Sequence, residues 1–281
     1  MAPVIAKIVS MQPNFTVGEN EIAQYIIHHP DAVIASTISD VVKETGTSEA
    51  SLNRFCKKLG YKGFNRLKVA LAQESAYTQM TQATPSAGVN RIAALCQDYQ
   101  RVLLNTTAML DETIIRSAVK ALRTAGMIYV FGLPDTSPVA LEFANKLTLV
   151  GIPNKAVCDI TNIQMECSHL GKSDFVVFIL STVFERDILP VLQLMHEREA
   201  KSLIITSYDA PQLESLADMK LITSDIITTQ NAMSISNNLI FLYVVDVLYA
   251  SLLDSDRSLR EKKMNSDAML RMQRNLNDYD F

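Results

Sequence analysis

The side chains of this sequence that are best suited to chemistry lie close together in one basic segment. From Ser48 to Gln73 the segment contains six Lys and Arg residues, and its acidic residue is Glu49. Arginine and amide side chains bond the edges of DNA bases, small side chains permit close approach, and lysines neutralise phosphates. The segment therefore predicts a surface that contacts duplex DNA. We assign the contacts to Ser48, Ala50, Ser51, Asn53, Arg54, Lys57, Lys58, Lys62 and Lys68.

Two short helices joined by a tight turn would position these side chains. Thr37 is suited to cap the first helix, Asp40 favours its first turn through the helix dipole, and Gly46 supplies a left-handed stop. Thr47 or Ser48 then caps the second helix. Each helix carries one apolar stripe at helical spacing, and the two stripes must meet. They are Ile38, Val41 and Val42 in the first helix and Leu52, Phe55, Cys56 and Leu59 in the second.

The basic residues of the second helix face away from its apolar stripe, since each residue turns the helix by about 100°. Small and amide residues stand nearest its N-terminus, which is the end that enters the major groove in a recognition helix. A basic helix face can also be an ordinary solvated surface, on which Arg54, Lys57 and Lys58 contact only water. The glycine turn between two apolar stripes favours the helix-turn-helix interpretation.

The residues that follow extend this pattern into a signature. Gly60 to Phe64 break the second helix, and NRLKVALAQE then begins another helix that carries Arg66 and Lys68. The stretch from Arg54 to Gln73, RFCKKLGYKGFNRLKVALAQ, closely resembles the signature of RpiR-type bacterial transcriptional regulators. The resemblance implies an N-terminal helix-turn-helix domain, followed by a SIS (sugar isomerase) domain that senses phosphosugars.

Length and composition fit a two-domain protein of the cytoplasm. With 281 residues, of which 48% are hydrophobic, the chain can bury a core in each of two domains. No run approaches the roughly 20 apolar residues of a membrane span. The start, MAPVIAKIVS, lacks the features of a signal peptide. The net charge is −4, so the acidic remainder is expected to be the part that does not touch DNA.

Cysteine and histidine are spaced in ways that do not suit metal binding. His28 and His29 are adjacent, and His169 and His196 stand alone. The cysteines form no CxxC pair and stand among apolar neighbours, which predicts buried free thiols. We therefore expect no metal site and no cofactor. The cysteines are Cys56, Cys96, Cys158 and Cys167.

The N-terminal part of the chain reads as helical. We expect a mobile first segment, then a helix that ends at Pro30, and a connector from 30 to 36. These elements and the helix pair would form a five-helix domain over residues 1–76. Residues 77–90 contain Pro85 and Gly88 without periodicity, which predicts a linker.

Strands and helices alternate in the second half. Residues 91–126 are expected to form two connecting helices, the first with an apolar stripe from Ile92 to Leu103 and the second capped by Asp111. Apolar runs such as DFVVFILS are typical of strands buried on both faces of a parallel sheet. The predicted fold class is an all-α domain followed by an α/β SIS domain, residues 127–253, with a central parallel sheet flanked by helices. Residues 254–281 form a partly helical tail.

Two loops at the carboxyl ends of the predicted strands are candidates for a ligand site. The first runs from Gly132 to Ser137, where the resemblance implies a Gly-x-Gly-x-Ser loop that binds the sugar phosphate. Pro134 replaces the second glycine and removes an N–H donor. Thr136 replaces the serine and keeps a hydroxyl, and Ser137 adds another.

The second loop departs further from the pattern that the resemblance implies, Ser-x-Ser-Gly-x-Thr. It supplies Ser181, Thr182 and Arg186, but it places Glu185 at the threonine position, where a carboxylate would repel a phosphate. Two interpretations remain. Either the domain has lost phosphosugar binding and serves mainly for dimerisation, or it binds a different ligand through Thr136, Ser137, Ser181, Thr182 and Arg186.

These patterns favour a DNA-binding regulator that acts as a homodimer or a larger even oligomer such as a tetramer. The apolar segment SISNNLIFLYVVDVLYASLL is either a core helix or a helix that buries one face against a second subunit. A sugar-phosphate isomerase is the alternative, with Glu185 or His169 as the base near the strand ends. A dimeric adaptor without DNA is a third possibility, and it leaves the basic face without a role.

Overall fold

The computed structural model describes residues 3–81, 91–182, 187–229 and 231–277. The chain divides into two units, and each has its own core. The first comprises residues 1–110, 207–211 and 222–240, and the second comprises residues 111–206, 212–221 and 241–281.

The N-terminal region of the first unit consists of helices around one apolar core. Within residues 3–81 these are α1 (Val4–Met11), α2 (Val17–His28), α3 (Pro30–Ala35), α4 (Ile38–Thr45), α5 (Glu49–Lys58) and α6 (Phe64–Thr81). Their inward faces supply the buried residues Ile8, Ile22, Ile26, Leu52, Phe55 and Leu67. The helix pair predicted between Thr37 and Leu59 is confirmed as α4 and α5.

Three details of this region differ from the expectations. The first segment is helical rather than mobile, since α1 buries Val4 and Ile8 in the core. The connector expected from 30 to 36 is the helix α3, whose Pro30 occupies a first-turn position where its missing N–H costs little. The last helix continues beyond residue 76 to Thr81. Of the expected linker, residues 82–90 lie outside the described residues.

A carboxylate from α6 caps the start of α1. Glu74 Oε2 accepts the backbone N–H of Val4 at 2.6 Å. Burial raises the pKa of Glu74, and the hydrogen bonds from the N–H groups of Val4 and Ile5 and the charge of Arg101 offset part of that rise. The cap explains why a helix forms at the start of the chain without a capping side chain of its own.

The helix α7 (Arg91–Met109) follows the predicted apolar stripe only in part, since it buries Val102 of that stripe together with polar side chains. Ile92 and Cys96 are exposed, whereas Asp98 and Thr106 are buried. The Asp98 carboxylate accepts the backbone N–H of Asn231 at 3.1 Å and its side-chain amide at 2.6 Å. These buried hydrogen bonds join α7 to the later part of the first unit.

The second unit is built on a five-stranded parallel sheet, as the sequence predicted. Its strands are β1 (Met127–Gly132), β2 (Asn154–Val157), β3 (Asp174–Leu180), β4 (Lys201–Thr206) and β5 (Met219–Ile222). Their order across the sheet is β2-β1-β3-β4-β5. Phe175 to Leu180 of β3 are buried on both faces because this strand is central, whereas β2 and β5 at the edges are only partly buried.

Helices flank the sheet. They are α8 (Glu112–Thr124), α9 (Ser137–Leu149), α10 (Ile160–His169), α11 (Ile188–Glu197), α12 (Leu213–Leu216), α13 (Asn238–Ser255) and α14 (Arg257–Asn277). Asp111 caps α8 as predicted, since its Oδ1 accepts the N–H of Thr113 at 2.7 Å. Gly132 permits the close approach of α9 to β1, because a Cβ there would lie 2.9 Å from the Cβ of Ala140.

The apolar segment near the end of the sequence forms α13. By length and composition it is the one described helix that could cross a membrane, a test that core helices also pass. One face of α13 is buried through Phe241, Val244 and Leu248. On another face, Asp246 pairs with Lys146 of α9 at 3.0 Å. Packing within the second unit therefore accounts for part of its apolar character.

The expectation of buried thiols is correct for two of the cysteines. Cys56 and Cys167 are buried, and burial raises the pKa of each thiol to about 12. Cys96 is exposed and Cys158 is half-buried, so the expectation is wrong for these residues. For Cys96 the reason is that apolar neighbours in the sequence do not determine which face of a helix points inward.

Candidate DNA-binding surface and sensor loops

Hydrogen-bonded caps hold α4 and α5 as a helix-turn-helix pair. The N–H of Thr37 donates to Asp40 Oδ2 at 2.8 Å, and the N–H of Asp40 donates to Thr37 Oγ1 at 3.3 Å. Gly46 takes a left-handed conformation, with φ of 62°, and ends α4. Ser48 Oγ accepts the N–H of Ser51 at 3.1 Å and so caps α5. The caps and the stop predicted from the sequence are confirmed.

The buried face of α5 fixes the direction of its outer face. Leu52, Phe55, Cys56 and Leu59 are no more than 1% exposed, as the apolar stripe predicted. The ring of Phe55 also contacts that of Phe15, with centroids 5.1 Å apart. Since this face is fixed by packing, the opposite face of α5 must point to solvent.

A hydrogen-bonded row of side chains runs along the exposed face of α5. The Oγ atoms of Ser48 and Ser51 lie 2.9 Å apart, and Arg54 Nη2 donates to Ser51 Oγ at 3.2 Å. This bond uses one of the five N–H groups of a guanidinium. The remaining groups can bond a base or a phosphate. The row therefore orients Arg54 before any ligand is bound.

The other residues predicted to contact DNA surround this row and differ in how exposed they are. Ala50, Lys57 and Lys62 are exposed, and Asn53 is half-buried near the turn at Gly63. Neither Lys57 nor Lys62 forms an ion pair within the described residues. Their ammonium groups are therefore available to phosphates. Their role as DNA contacts stays a prediction.

Lys58 and Lys68 are instead bonded within the domain. Lys58 Nζ donates to Glu19 Oε2 at 2.8 Å and to the carbonyl oxygen of Asn14 at 2.5 Å. Lys68 Nζ donates to the carbonyl oxygen of Ser36, just before α4. Each lysine thus has an intramolecular partner that the sequence did not indicate. They differ in this respect from Lys57 and Lys62.

Ser39 and Glu49, to which sequence reasoning gave no role, meet across the turn. Ser39 Oγ donates to Glu49 Oε1 at 2.9 Å, and both residues are exposed. Glu49 is the first residue of α5. The signal in the sequence was a carboxylate placed at the front of a basic segment.

The loop between β1 and α9 closes on itself through its backbone and one hydroxyl. The N–H of Leu133 donates to Thr136 Oγ1 at 2.9 Å, and the N–H groups of Thr136 and Ser137 donate to the carbonyl of Leu133 at 2.9 and 2.7 Å. Thr136 Oγ1 in turn donates to the carbonyl of Ile179 in β3 at 2.9 Å, and the residue is 1% exposed. The hydroxyl that was predicted to bind a ligand is therefore engaged inside the protein.

The first turn of α9 also offers few free N–H groups to an anion. The N–H groups of Val139 and Ala140 donate to the carbonyl of Thr136, and Pro138 has no N–H. Pro134 likewise carries none. In the described loop and first turn, from 133 to 140, Asp135 keeps an N–H without a partner, beside its own carboxylate. Helix N-termini bind phosphate through free N–H groups, so this one is poorly suited to it.

The structure brings the two predicted loops to neighbouring positions. Gly132 at the end of β1 lies opposite Ile179 of β3, so the segment after each strand leaves the same edge of the sheet. Ser181 and Thr182 follow β3 and are half-buried, as is Ser137, whose Oγ donates to the carbonyl of Pro134 at 3.1 Å. Arg186 and Glu185 lie outside the described residues.

His169 does not lie where an isomerase base was expected. It ends α10, five residues before β3 begins at Asp174. A helix that returns from one parallel strand to the next ends at the amino edge of the sheet. The expectation that His169 stands near the carboxyl ends of the strands is therefore wrong. Among the described side chains, no group of three His, Cys, Asp or Glu residues could hold a metal ion.

The protein has two domains, a helix-turn-helix domain and a SIS domain. The first is defined by the capped helix pair α4 and α5, and the second by the parallel sheet with its flanking helices. Residues 3–78 match the family model of the "Helix-turn-helix domain, rpiR family", and residues 121–251 match the SIS domain model. The chain belongs to the RpiR family of helix-turn-helix transcriptional regulators. The resemblance stated from the sequence is confirmed.

Two helix-turn-helix regulators match this chain over most of their length. An HTH-type transcriptional regulator of Caldanaerobacter subterraneus subsp. tengcongensis is 28% identical over 254 residues, which cover 89% of this chain and 90% of that protein. HexR of Escherichia coli is 28% identical over 249 residues, 87% of this chain and 86% of HexR. The structure of the Vibrio vulnificus NanR protein complexed with ManNAc-6P has a TM-score of 0.59 at 22% identity, covering 96% of this chain and 98% of that one. This structural likeness shows a shared fold.

Proposed function

We propose that this protein binds a pseudo-palindromic DNA operator in the cytoplasm as a homodimer, or as a tetramer built from two such dimers. The observation that carries the proposal is the exposed row of Ser48, Ser51 and Arg54 on a helix whose other face is fixed by packing. Two copies of α5 related by a two-fold axis would enter successive major grooves, with half-sites about 10 base pairs apart or a multiple of that.

The side chains on and around α5 contribute to affinity and to sequence choice in different ways. Arg54, Asn53 and Ser51 carry base recognition, with Ser48 and Ala50 allowing close approach. Lys57 and Lys62 neutralise phosphates and make binding depend on salt. Lys58 and Lys68 stabilise the domain instead of contacting DNA, because their ammonium groups already have hydrogen-bond partners within it.

The second domain serves mainly to pair two subunits and not to anchor a phosphosugar. The support for this proposal is the loop after β1, where Thr136 is internally bonded and most backbone N–H groups are taken. An altered ligand would instead contact Ser137, Ser181, Thr182 and Arg186. The same loop argues against an isomerase, which needs a phosphate anchor beside its base.

The regulated genes belong to carbohydrate metabolism in this proposal. Its support is the family and the fold, which the chain shares with NanR, a protein whose structure contains ManNAc-6P. The sequences of bound genomic fragments would name these genes directly. Fragments without any link to carbohydrate metabolism would contradict this part of the proposal.

Arg54→Ala tests the DNA-binding surface. We expect the substitution to cost about 1–3 kcal/mol of binding free energy and to relax base preference at one operator position. Fluorescence anisotropy on fragments selected from genomic DNA measures both effects. Arg116→Ala is the matched control, because Arg116 is an exposed arginine of the second unit. Equal binding by the Arg54 and Arg116 variants would show that α5 is not the recognition helix.

A further inference from the structure

We propose that Glu49 reads the exocyclic amino group of a cytosine in the major groove, and that Ser39 is the positioning residue that holds it there. The proposal rests on the proposed function, since it assigns one further base contact to the same helix. Glu49 stands at the N-terminal end of α5, where the residues of a recognition helix reach base edges.

The charge of Glu49 is the first part of the argument. The residue is exposed and forms no ion pair within the described residues, although the segment around it is basic. Phosphates repel a carboxylate near duplex DNA. A hydrogen bond from a donor on the DNA can offset that repulsion. In the major groove the donors are the amino groups at N4 of cytosine and at N6 of adenine.

The chemistry of these two bases favours cytosine. Adenine presents the acceptor N7 beside its amino group, and a carboxylate has no proton to donate to it. Cytosine presents the amino donor without that neighbouring acceptor. A carboxylate is therefore matched to cytosine, whereas an amide side chain, which both donates and accepts, is matched to adenine.

Ser39 supplies the geometry. Its hydroxyl donates to Glu49 Oε1 at 2.9 Å from the other helix of the pair, so the carboxylate is tied to α4 as well as to α5. Oε2 has no hydrogen-bond partner in the part of the chain that the structure describes. One oxygen is thus used for positioning, and the other is left to accept a proton from a base.

Selection of bound duplexes from a randomised pool tests this inference with the full-length protein. The wild type should enrich a cytosine at one position of each half-site. Glu49→Ala should lower discrimination at that position roughly 5- to 150-fold, the range for one good base contact, and Glu49→Gln should change the preference to adenine. Ser39→Ala should weaken the preference, and Ser39→Thr should restore it. Glu21→Gln removes an exposed carboxylate of α2 and controls for net charge.

The outcomes separate this inference from the proposed function. If the wild type enriches no sequence at all, the proposed function fails and Glu49 reads no base. If it enriches a sequence that Glu49→Ala and Glu49→Gln both preserve, the regulator stands and the role of Glu49 is refuted. If Glu21→Gln alters the preferred base as Glu49→Gln does, the effect is one of net charge, and the inference is also refuted.

Discussion

The neighbouring lysines Lys57 and Lys58 should respond in opposite ways to replacement by alanine. Lys57 is exposed without an ion pair in the described chain, so Lys57→Ala should remove a phosphate contact and leave stability unchanged. One lost phosphate contact lowers the slope of log K against log salt by about 0.9. Lys58→Ala should leave that slope unchanged and should destabilise the domain instead.

The size of the destabilisation follows from the contacts of Lys58. Its side chain is 32% exposed and its partner Glu19 is 16% exposed, so the pair lies between a surface ion pair and a buried one. The ammonium also lies 5.4 Å from the centroid of the Phe15 ring. Exposed pairs contribute about 0.2–1 kcal/mol, and hydrogen bonds to charged groups about 1.5–3 kcal/mol. We expect Lys58→Ala to cost about 1–2 kcal/mol.

Two measurements on the same pair of variants check this reasoning. Anisotropy titrations at several salt concentrations give the slope, and thermal unfolding gives the stability. For a domain of this size, 1 kcal/mol corresponds to a shift of about 4–8 °C in the unfolding midpoint. If Lys58→Ala instead lowers the salt slope as much as Lys57→Ala does and leaves the midpoint unchanged, Lys58 contacts a phosphate and its intramolecular bonds do not stabilise the domain.

Two further predictions concern α1 and the candidate ligand loops that follow β1 and β3. Burial raises the pKa of Glu74 above its ordinary value near 4.5, so the folded state binds a proton more tightly and this residue favours folding less as pH rises through that raised pKa. Glu74→Gln should therefore be more stable than the wild type at pH 7 and should lose that advantage as pH falls toward 4.5, as denaturant unfolding at both pH values would show. For the candidate ligand loops, a panel of phosphosugars should leave the unfolding midpoint unchanged, whereas a ligand at 100 times its Kd adds about 2.7 kcal/mol. Large shifts with several phosphosugars would contradict the view that the phosphate anchor is lost.

The helix pair could be predicted because its determinants are local in sequence. The cap of Thr37 involves Asp40 three residues on, and Gly46 needs only its own backbone freedom. The apolar stripes required knowledge of the helical period alone. The parallel sheet could be predicted equally well, because strands buried on both faces appear in the sequence as continuous apolar runs.

The partners of Lys58 could not be predicted from such spacing rules. Asn14 and Glu19 lie 44 and 39 residues before it in the chain. By sequence alone, Lys57 and Lys58 are equivalent members of one basic run. Tertiary contacts distinguish them, and they do so by bringing the start of α2 against the end of α5.

The loop between β1 and α9 shows the same limit in a different form. Pro134 indicated the loss of one N–H donor from the sequence alone. The hydrogen bond that occupies the hydroxyl of Thr136 could not be predicted, because its acceptor is the carbonyl of Ile179, 43 residues away. A hydroxyl retained in the sequence was therefore a poor guide to a hydroxyl free to bind. The stripe of α7 was correct for Val102 but missed buried Asp98 and Thr106, because distant residues of the first unit supply the hydrogen-bond partners of these two side chains.

The internally bonded loop between β1 and α9 also limits how a small molecule can act on this protein. A ligand shifts a dimer between two geometries only by binding one of them better. A phosphate at the start of α9 would have to break bonds of Thr136 or Ser137, each of which contributes about 0.5–1.5 kcal/mol. It would also approach the exposed carboxylate of Asp135. A neutral or cationic ligand avoids the repulsion from Asp135, so we expect a ligand at this edge of the sheet to be neutral or cationic.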